Sequence, residues 1–163
     1  MANQFLAFML DGSRYAVEVY QVQEVLEYTA ITKVPCAASF VEGLINSRGQ
    51  GISVVNLRKK FGLPEIDVNK DTRIIVIEIQ NENDTIIFGA IADSVQEVID
   101  LDENEIEKPP KFGNAVATEF IRGIGKRDDE FMIILDVSKI FSSDEMSALE
   151  GAGQQEPSSS QAV

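Results

Sequence analysis

Residues 15–27 read YAVEVYQVQEVLE, and residues 88–100 read FGAIADSVQEVID. The two stretches lie 73 positions apart (88 against 15) and share the tetrapeptide VQEV unchanged. Self-similarity at a fixed spacing is the signature of an internal repeat. This pair of stretches therefore indicates that the chain contains two related structural units.

A second pair of stretches supports the repeat. Residues 43–61 (GLINSRGQGISVVNLRKKF) align with residues 123–141 (GIGKRDDEFMIILDVSKIF), 80 positions later (123 against 43). The second unit therefore has seven more residues between its two blocks, the difference between 80 and 73, and these fall near residues 108–118. We predict repeat units at about residues 4–66 and 72–141.

The apolar runs in both units are short and end in turn residues. Residues 4–10 (QFLAFML) stop at an Asp-Gly pair, and residues 73–79 (RIIVIEI) are followed shortly by an Asn- and Asp-containing turn. Many short strands with closely spaced turns are typical of barrels and sandwiches. The helices, such as residues 58–61 before a glycine, are too short and too few for a βαβ fold. We predict an all-β fold with short helices, in which two small barrels share one hydrophobic core.

Composition excludes several classes of function. Acidic residues outnumber basic residues 27 to 14, for a formal net charge of −13, whereas nucleic-acid binding requires clustered Lys and Arg. The sequence has no histidine and one cysteine, Cys36, which removes the usual catalytic triads and leaves almost no ligands for zinc or a redox metal. We expect no cofactor and no nucleic-acid partner, and we interpret Cys36 as a small packing residue.

The sequence also predicts where the protein resides. No apolar run reaches the roughly 20 residues that span a bilayer, and a signal-peptide pattern is missing, so we expect a cytoplasmic protein without membrane insertion. Residues 151–163 (GAGQQEPSSSQAV) contain no Lys, Arg or aromatic residue and are predicted to be a disordered polar tail. Before the tail, Ser142 and Glu145 have the spacing of a helical capping box.

The two units differ at the tip of their second hairpin. The first unit has Arg48 between Ser47 and Gly49, whereas the second unit has Asp128 at the matching position. Arginine is the side chain best suited to bidentate recognition of a carboxylate. Two interpretations stay open, and they do not exclude each other. Arg48 pairs inside the fold with a carboxylate such as Glu24, or it reaches a partner protein.

The order of these motifs resembles a known family. The run YAVEVYQVQEVLEY…ITKVP…FVEGLINSRGQGISVVNLRKKFG resembles the CheW-like domain. That family typically has a Tyr-containing strand, a V-x-E-V/I segment and a G-V-I-N-L-R-G hairpin leading into P-V-V-D-L-R-x-x-F-G. The second half fits as well, with FIRGIGK and MIILDVSKIF after Pro109-Pro110. Each motif alone is weak, but their order and spacing are specific, and the resemblance covers residues 4–149.

The resemblance implies a fold and a function. It implies two five-stranded barrels of the Src-homology-3 (SH3) type, packed around a shared hydrophobic core. It also implies a non-enzymatic chemotaxis adaptor of a two-component signal-transduction system. Such adaptors bridge the cytoplasmic tip of chemoreceptors (methyl-accepting chemotaxis proteins) and the regulatory domain of the histidine kinase CheA. Together these proteins form a signalling array beneath the membrane.

The resemblance also assigns site residues. Arg48 corresponds to the arginine of the family's N-L-R-G motif, which is implicated in receptor coupling. Glu24 corresponds to the acidic residue that is expected to pair with it, and Ile74 falls in a strand resembling the receptor-facing one. Val22 and Gly43 fall at positions implicated in binding the kinase or other partners.

Three positions depart from the family pattern: Ser47 in place of Leu, Ser53 in place of Pro and Asn56 in place of Asp. Ser53 restores a backbone donor that Pro lacks, and Ser47 reduces the apolar area beside the expected contact. These departures also fit an adaptor paralogue of another chemosensory system, such as one for twitching or gliding motility.

Two further alternatives stay open. The adaptor part of a CheV-like protein or of a kinase is disfavoured, because the sequence shows no receiver domain or kinase motif. A carboxylate-based hydrolase would need two carboxyl groups with perturbed pKa values in one cleft.

Overall fold

The architecture comes from a computed structural model of the chain, which describes residues 3–35, 37–81, 84–108, 120–127, 129–142, 144–147 and 149. Several positions discussed above lie outside these described residues: Cys36, Asp128, most of the predicted insertion at 108–118 and the predicted tail at 151–163.

Eleven strands, one short α-helix and a further helical stretch at residues 144–147 make up most of the described chain. The strands are β1 (Asn3–Leu10), β2 (Ser13–Glu18), β3 (Val22–Glu27), β4 (Val41–Ser47), β5 (Gln50–Asn56), β6 (Arg73–Asn81), β7 (Asp84–Ala92), β8 (Ser94–Leu101), β9 (Ile106–Glu107), β10 (Ile121–Arg127) and β11 (Glu130–Leu135). Helix α1 covers Leu57–Phe61, and short 3-10 helices cover Val19–Gln21, Glu103–Glu105 and Val137–Lys139.

Helix α1 is short because the sequence supplies both of its ends within a few residues. At its start, the Asn56 side-chain oxygen accepts hydrogen bonds from the backbone N–H groups of Arg58 (2.9 Å) and Lys59 (3.3 Å). At its end, Gly62 adopts a left-handed conformation (φ 74°) that glycine permits and other residues disfavour. The predicted short helix that ends at a glycine is confirmed.

The strands form two sheets that exchange hairpins between the halves of the chain. One sheet has the order β8-β1-β2-β11-β10-β9, and the other has the order β3-β6-β7-β5-β4. Each sheet therefore combines the first hairpin of one half with later strands of the other half. In each sheet one parallel pair joins strands of the two halves, β2 with β11 in one sheet and β7 with β5 in the other. The remaining neighbouring strands are antiparallel.

The strand registers follow the same spacings as the sequence alignments. The parallel ladders place Ile133 opposite Tyr15 in one sheet and Ser53 opposite Phe88 in the other. Tyr15 and Phe88 are 73 positions apart (88 against 15), and Ser53 and Ile133 are 80 positions apart (133 against 53). The two sheets are thus built alike, and these offsets match a residue of one sheet to its equivalent in the other.

Three apolar clusters fill the interior. The largest takes side chains from both sheets, including Phe8, Ile77 and Phe88, so it is a core that the sheets share. The buried side chains of each smaller cluster come from a single sheet. Alternate residues of β6 face different clusters, with Ile74 in a small cluster and Ile75 in the shared core. A strand buried on both faces reads as a continuous apolar run, which explains RIIVIEI.

The predicted fold class is confirmed, because the protein is all-β with short helices and two sheets pack around a shared hydrophobic core. One sheet has a sixth strand, the two-residue β9, beyond the five predicted. Within the described residues, neither sheet closes through a ladder between its two edge strands. The repeat boundaries at residues 4–66 and 72–141 stay a prediction.

The C-terminal segment is held by a capping box and an ion pair. The Glu145 N–H donates to the Ser142 hydroxyl (3.2 Å), and the Ser142 N–H donates to the Glu145 carboxylate (2.8 Å), which confirms the predicted capping box. The same carboxylate binds Lys60 of α1 at 2.7 and 2.9 Å, and Lys60 lies over the Phe40 ring. This arrangement buries Leu149 in the shared core.

A buried ionic network joins the two sheets. The Arg58 side chain, which is 8% exposed, binds both carboxylate oxygens of Asp93 (3.1 and 2.6 Å) and one oxygen of Asp11 (3.3 Å). It also donates to the Pro64 carbonyl. Arg58 follows β5 in one sheet, whereas Asp11 lies in the β1–β2 turn of the other. Since each charge has a partner, the network avoids the penalty of an isolated buried charge.

The network makes stability depend on pH. Burial acts to raise the pKa of Asp93, but hydrogen bonds from Arg58 and from the Asp11 backbone outweigh it and hold the pKa below its ordinary value. A carboxyl group with a lowered folded-state pKa adds stability above its unfolded-state pKa. That contribution is lost as the pH falls through the folded-state pKa.

We expect Asp93→Asn to lower the free energy of unfolding by roughly 1–3 kcal/mol at pH 7, because Arg58 stays charged and buried beside a weaker partner. The difference from wild type should shrink below the folded-state pKa of Asp93, where the wild-type carboxyl is also protonated. Urea unfolding at neutral and acidic pH measures both effects. The exposed Asp71→Asn is the control, and wild-type stability of Asp93→Asn at pH 7 would refute the role of the network.

Gly43 is fixed by the backbone that lies against it. Strand β4 has a bulge between Val41 and Gly43, and Gly43 has a φ of 146°. A Cβ at this position would lie 2.1 Å from the Thr32 carbonyl oxygen. That carbonyl accepts a hydrogen bond from the Leu44 N–H (2.8 Å), so it cannot move away without losing the bridge between the two segments.

Gly43→Ala should therefore lower the free energy of unfolding by at least about 2 kcal/mol, through backbone strain and steric overlap. Gly51→Ala on the partner strand β5 is the matched control, because its Cβ would meet nothing within 4 Å. We expect that control to stay within roughly 0.5 kcal/mol of wild type. Chemical denaturation measures both, and equal losses in the two variants would contradict the steric explanation.

Candidate functional site

The hairpin of β4 and β5 presents Arg48 at its tip. Arg48 (φ 56°) and Gly49 (φ 81°) both have positive φ, as two-residue hairpin turns of type I′ require. Glycine adopts this conformation readily, whereas for arginine it costs about 1–2 kcal/mol. A strained arginine at a hairpin tip favours a role for its side chain outside the turn itself.

Arg48 contacts Glu24 and remains largely exposed. An Arg48 guanidinium nitrogen lies 3.4 Å from the Glu24 carboxylate, and the Ser47 hydroxyl donates to the same carboxylate at 3.1 Å. Since Glu24 is on β3, these contacts link β3 and β4, the two edge strands of the five-stranded sheet. The Arg48 side chain is nevertheless 82% exposed, and one long hydrogen bond at the surface is weak. Both interpretations of Arg48 are compatible with this geometry.

Val22 and Gly43 lie on the same two edge strands. Val22 begins β3, where it is partly exposed and packs against the shared core. Gly43 is buried on β4, against the backbone of Thr32. The Gly43 position therefore shapes the edge of the sheet, and Val22 offers the edge a partly exposed apolar side chain.

Ile74 has a different environment from the other site residues. Its side chain is 0% exposed and packs with Val54 and Val76 in the cluster of the five-stranded sheet. Gly89 on β7 lies so near that a Cβ there would be 2.7 Å from an Ile74 methyl carbon. A direct receptor contact through Ile74 would require the sheet to open, so the structure identifies Ile74 as a packing residue.

Two exposed apolar residues lie on edge strands and were not singled out from the sequence. Val25 on β3 is 39% exposed, and Val98 on β8 is 48% exposed. Each is the last residue of a VQEV tetrapeptide, 73 positions apart (98 against 25), and each strand lies at the edge of its sheet. The repeated tetrapeptide was the available signal. Both copies of the tetrapeptide lie on edge strands because the two halves of the chain exchange hairpins.

The three departures from the family pattern each have a structural role. The Ser47 hydroxyl binds Glu24. Ser53 is 2% exposed and lies in the middle of β5, paired on both sides, so its backbone donor is used within the sheet. Asn56 caps α1, and its side-chain amide also donates to Glu42 (2.9 Å).

The carboxyl groups with shifted pKa values are partners in ion pairs. For Glu42, Asp93 and Glu145, burial acts to raise the pKa, but hydrogen bonds, among them those from a Lys or Arg partner, outweigh it. The pKa of each is therefore lowered. A carboxyl group that acts as a general acid at neutral pH needs a raised pKa. These three groups are suited to holding the fold and not to acid catalysis.

No helix in the part of the chain that the structure describes is long and apolar enough to cross a membrane.

Comparison with known proteins agrees with the fold. Residues 4–145 match the family model of the CheW-like domain. The chemotaxis protein CheW of Thermotoga maritima is 34% identical over 151 residues, which cover 91% of this chain and 92% of that protein. The chemotaxis protein CheW of Klebsiella aerogenes is 27% identical over 154 residues, which cover 94% of this chain and 90% of that protein.

A solved structure is similar over nearly the same length. The scaffolding protein TtCheW from Thermoanaerobacter tengcongensis is 38% identical to this chain, with a TM-score of 0.78. The similarity covers 89% of this chain and 96% of that one. The family model, the relatives and the two-sheet fold agree, so the predicted resemblance is confirmed. The chain belongs to the family of CheW-like domains.

Proposed function

We propose that this protein is a chemotaxis coupling adaptor that bridges chemoreceptors and a CheA-type histidine kinase. The observation that carries the proposal is that each of two like-built sheets has an edge strand with an exposed valine at the matching position, Val25 or Val98. Two such edges, together with the exposed tip of the β4–β5 hairpin, give one protein more than one surface for a partner, as a bridge requires. The similarity to chemotaxis proteins and to a scaffolding protein supports the same function.

The kinase contact is proposed to lie at the β3 edge. The regulatory domain of CheA-type kinases itself resembles a CheW-like domain, so the two proteins can pack barrel against barrel. At the edge, the outer backbone groups of β3 are available for pairing, and Val22 and Val25 supply apolar area beside them. The β8 edge offers an equivalent surface to a second partner.

The receptor contact is proposed to use the tip of the β4–β5 hairpin. Arg48 is 82% exposed there, and its guanidinium can bind a carboxylate on the cytoplasmic tip of a chemoreceptor in bidentate fashion. Glu24 and Ser47 lie behind Arg48 and keep it beside the β3 edge. Receptor and kinase would then bind adjacent parts of one sheet.

The protein is proposed to act by binding and not by catalysis, in the cytoplasm at receptor arrays. The sequence contains no histidine, and Glu42, Asp93 and Glu145 are held in ion pairs. The same surfaces would serve an adaptor of another chemosensory system, such as one for twitching or gliding motility. Affinity for the regulatory domain of each chemosensory kinase of the same organism distinguishes the two functions.

Arg48→Asn should uncouple the receptor from the kinase without weakening the fold. Asn adopts a positive φ more readily than Arg, which offsets the loss of a surface ion pair worth about 0–1 kcal/mol. We expect a melting temperature equal to or slightly above that of wild type, together with loss of receptor control over kinase phosphorylation. A melting temperature several degrees lower, partly restored by the Glu24→Arg, Arg48→Glu exchange, would assign Arg48 to the fold alone.

Val25→Glu should weaken binding of the kinase regulatory domain at least about tenfold, because a charge would be buried without a partner in an apolar contact. Val98→Glu should leave that binding unchanged and prevent the addition of a second partner. Calorimetry measures the first effect, and sedimentation of mixtures measures the second. Val68→Glu, at a valine that is 49% exposed outside the strands, is the matched control. Unchanged kinase affinity in Val25→Glu would place the contact elsewhere.

A further inference from the structure

A surface cavity of about 410 Å³ borders the start of β3 and contains none of the residues assigned to the adaptor contacts above. It is lined by Tyr20, Gln21, Glu78, Gln80 and Ser138. The first two belong to the 3-10 helix before β3, the next two to β6, and the last to the 3-10 helix after β11. The cavity therefore lies where β6 of the five-stranded sheet meets the segments that follow β2 and β11 of the six-stranded sheet.

The offsets between the two sheets match this cavity to the site of the buried arginine. Ser138 lies 80 positions after Arg58 (138 against 58). The local structure agrees, because Asp136 accepts a hydrogen bond from the Ser138 N–H (3.2 Å) just as Asn56 accepts one from the Arg58 N–H (2.9 Å). Ser138 therefore occupies the structural position of Arg58.

The partners of Arg58 also have counterparts in the cavity wall. Tyr20 lies 73 positions before Asp93 (93 against 20), and Gln80 lies 69 positions after Asp11 (80 against 11). The offset of 69 between β1 and β6 follows from their matching ladders with β8 and β3. The cavity thus takes its wall from the positions equivalent to those of the ionic network, but the local backbone differs, because Asp11 lies in a turn (φ 52°) and Gln80 in strand β6.

The two positions differ in how far a side chain fills them, since the cavity beside Arg58 and Asp93 measures about 220 Å³ and the one beside Ser138 about 410 Å³. The Arg58 side chain is 8% exposed and binds two carboxylates. Ser138 is too short to fill the same space, and its hydroxyl donates to Asp136 at 2.6 Å. The position that a guanidinium occupies in one half of the chain is therefore beside an open surface cavity in the other half.

The wall of the cavity carries groups that bind a guanidinium. The Glu78 carboxylate accepts hydrogen bonds from the Gln23 amide (2.6 Å) and the Gln80 amide (3.5 Å). In the described ranges of the chain, no Lys or Arg nitrogen lies within 4.0 Å of this carboxylate. A carboxylate with only neutral donors keeps the capacity to accept a bidentate cation. Tyr20 is 78% exposed and offers a ring face for stacking.

We propose that this cavity binds an arginine side chain of a partner protein, with the guanidinium paired to Glu78 and stacked on Tyr20. The formal net charge of −13 favours a basic partner segment. Lysine suits the site less well, because it lacks the planar fork that pairs with a carboxylate and stacks on a ring. The inference does not depend on the partners proposed for β3 and β8, since a short peptide tests the cavity alone.

A titration of the full chain with the capped tripeptide acetyl-Gly-Arg-Gly-amide, followed by amide chemical shifts, tests the proposal. We expect saturable shifts at Tyr20, Glu78, Gln80 and Ser138. The lysine tripeptide should bind several-fold more weakly, and the citrulline tripeptide, which has a similar shape without the charge, should give no saturable shift. An absence of saturable shifts with the arginine peptide, or equal shifts with the citrulline peptide, overturns the proposal.

Two matched variants locate the contact. Glu78→Gln should abolish the saturable shifts, whereas Glu103→Gln, at an exposed carboxylate next to the other sheet, should leave them unchanged. Shifts that persist in Glu78→Gln would overturn the assignment of the carboxylate.

Ser138→Arg gives a second and independent measurement. Its guanidinium can fill the cavity from within the chain and pair with Glu78, so this variant should melt at a higher temperature than wild type and lose the peptide shifts. Ser138→Gln adds comparable length without the charge and should gain no such stability. A Ser138→Arg variant that keeps the wild-type response to the arginine peptide would show that the peptide binds elsewhere.

Discussion

The two parallel ladders, β2 with β11 and β5 with β7, are the contacts on which the rest of the structure depends. Each joins a hairpin of one half of the chain to strands of the other, so neither sheet forms from one half alone. Parallel neighbours cannot be linked by a tight turn, and here a long part of the chain serves as the connection. The entropy lost in closing such long loops is offset only when both sheets and the shared core have formed. The two sheets therefore depend on each other for stability.

The repeat in the sequence predicted that the chain contains two units of similar structure, but not which strands each sheet contains. Offsets of 73 and 80 positions recur in the ladders because each ladder needs the same inward-facing apolar residues in both copies. The exchange of hairpins could not be predicted, because the sequence of a hairpin does not show whether it pairs with strands of its own half of the chain or with strands of the other half. For the same reason the sequence does not show that β3 and β8 are edge strands, or that Val25 and Val98 lie exposed on them.

The candidate site was predictable where turn chemistry decides the position. Gly49 after Arg48 indicated a tight hairpin tip, and the structure places Arg48 there, beside Glu24. Ile74 was not predictable in this way, because β6 is apolar on both faces and its sequence does not tell a partner-facing side from an inner one. Arg58 is a similar case. In sequence it is one of three adjacent basic residues, and only the fold brings distant carboxylates around it.

Two like-built sheets give an adaptor two similar surfaces, and the side chains that differ between them let it distinguish its partners. A perfectly symmetric pair would present the same chemistry twice and would bind one partner at both ends. Because the ladders are shared, side chains that lie beyond the strand ends can differ without moving the strands. Arg58 occupies one such position with an internal cation, whereas Ser138 leaves a larger cavity at the equivalent position beside Glu78. The residues that match in the parallel ladders maintain the sheets, and under the proposed function the side chains that differ would distinguish the partners.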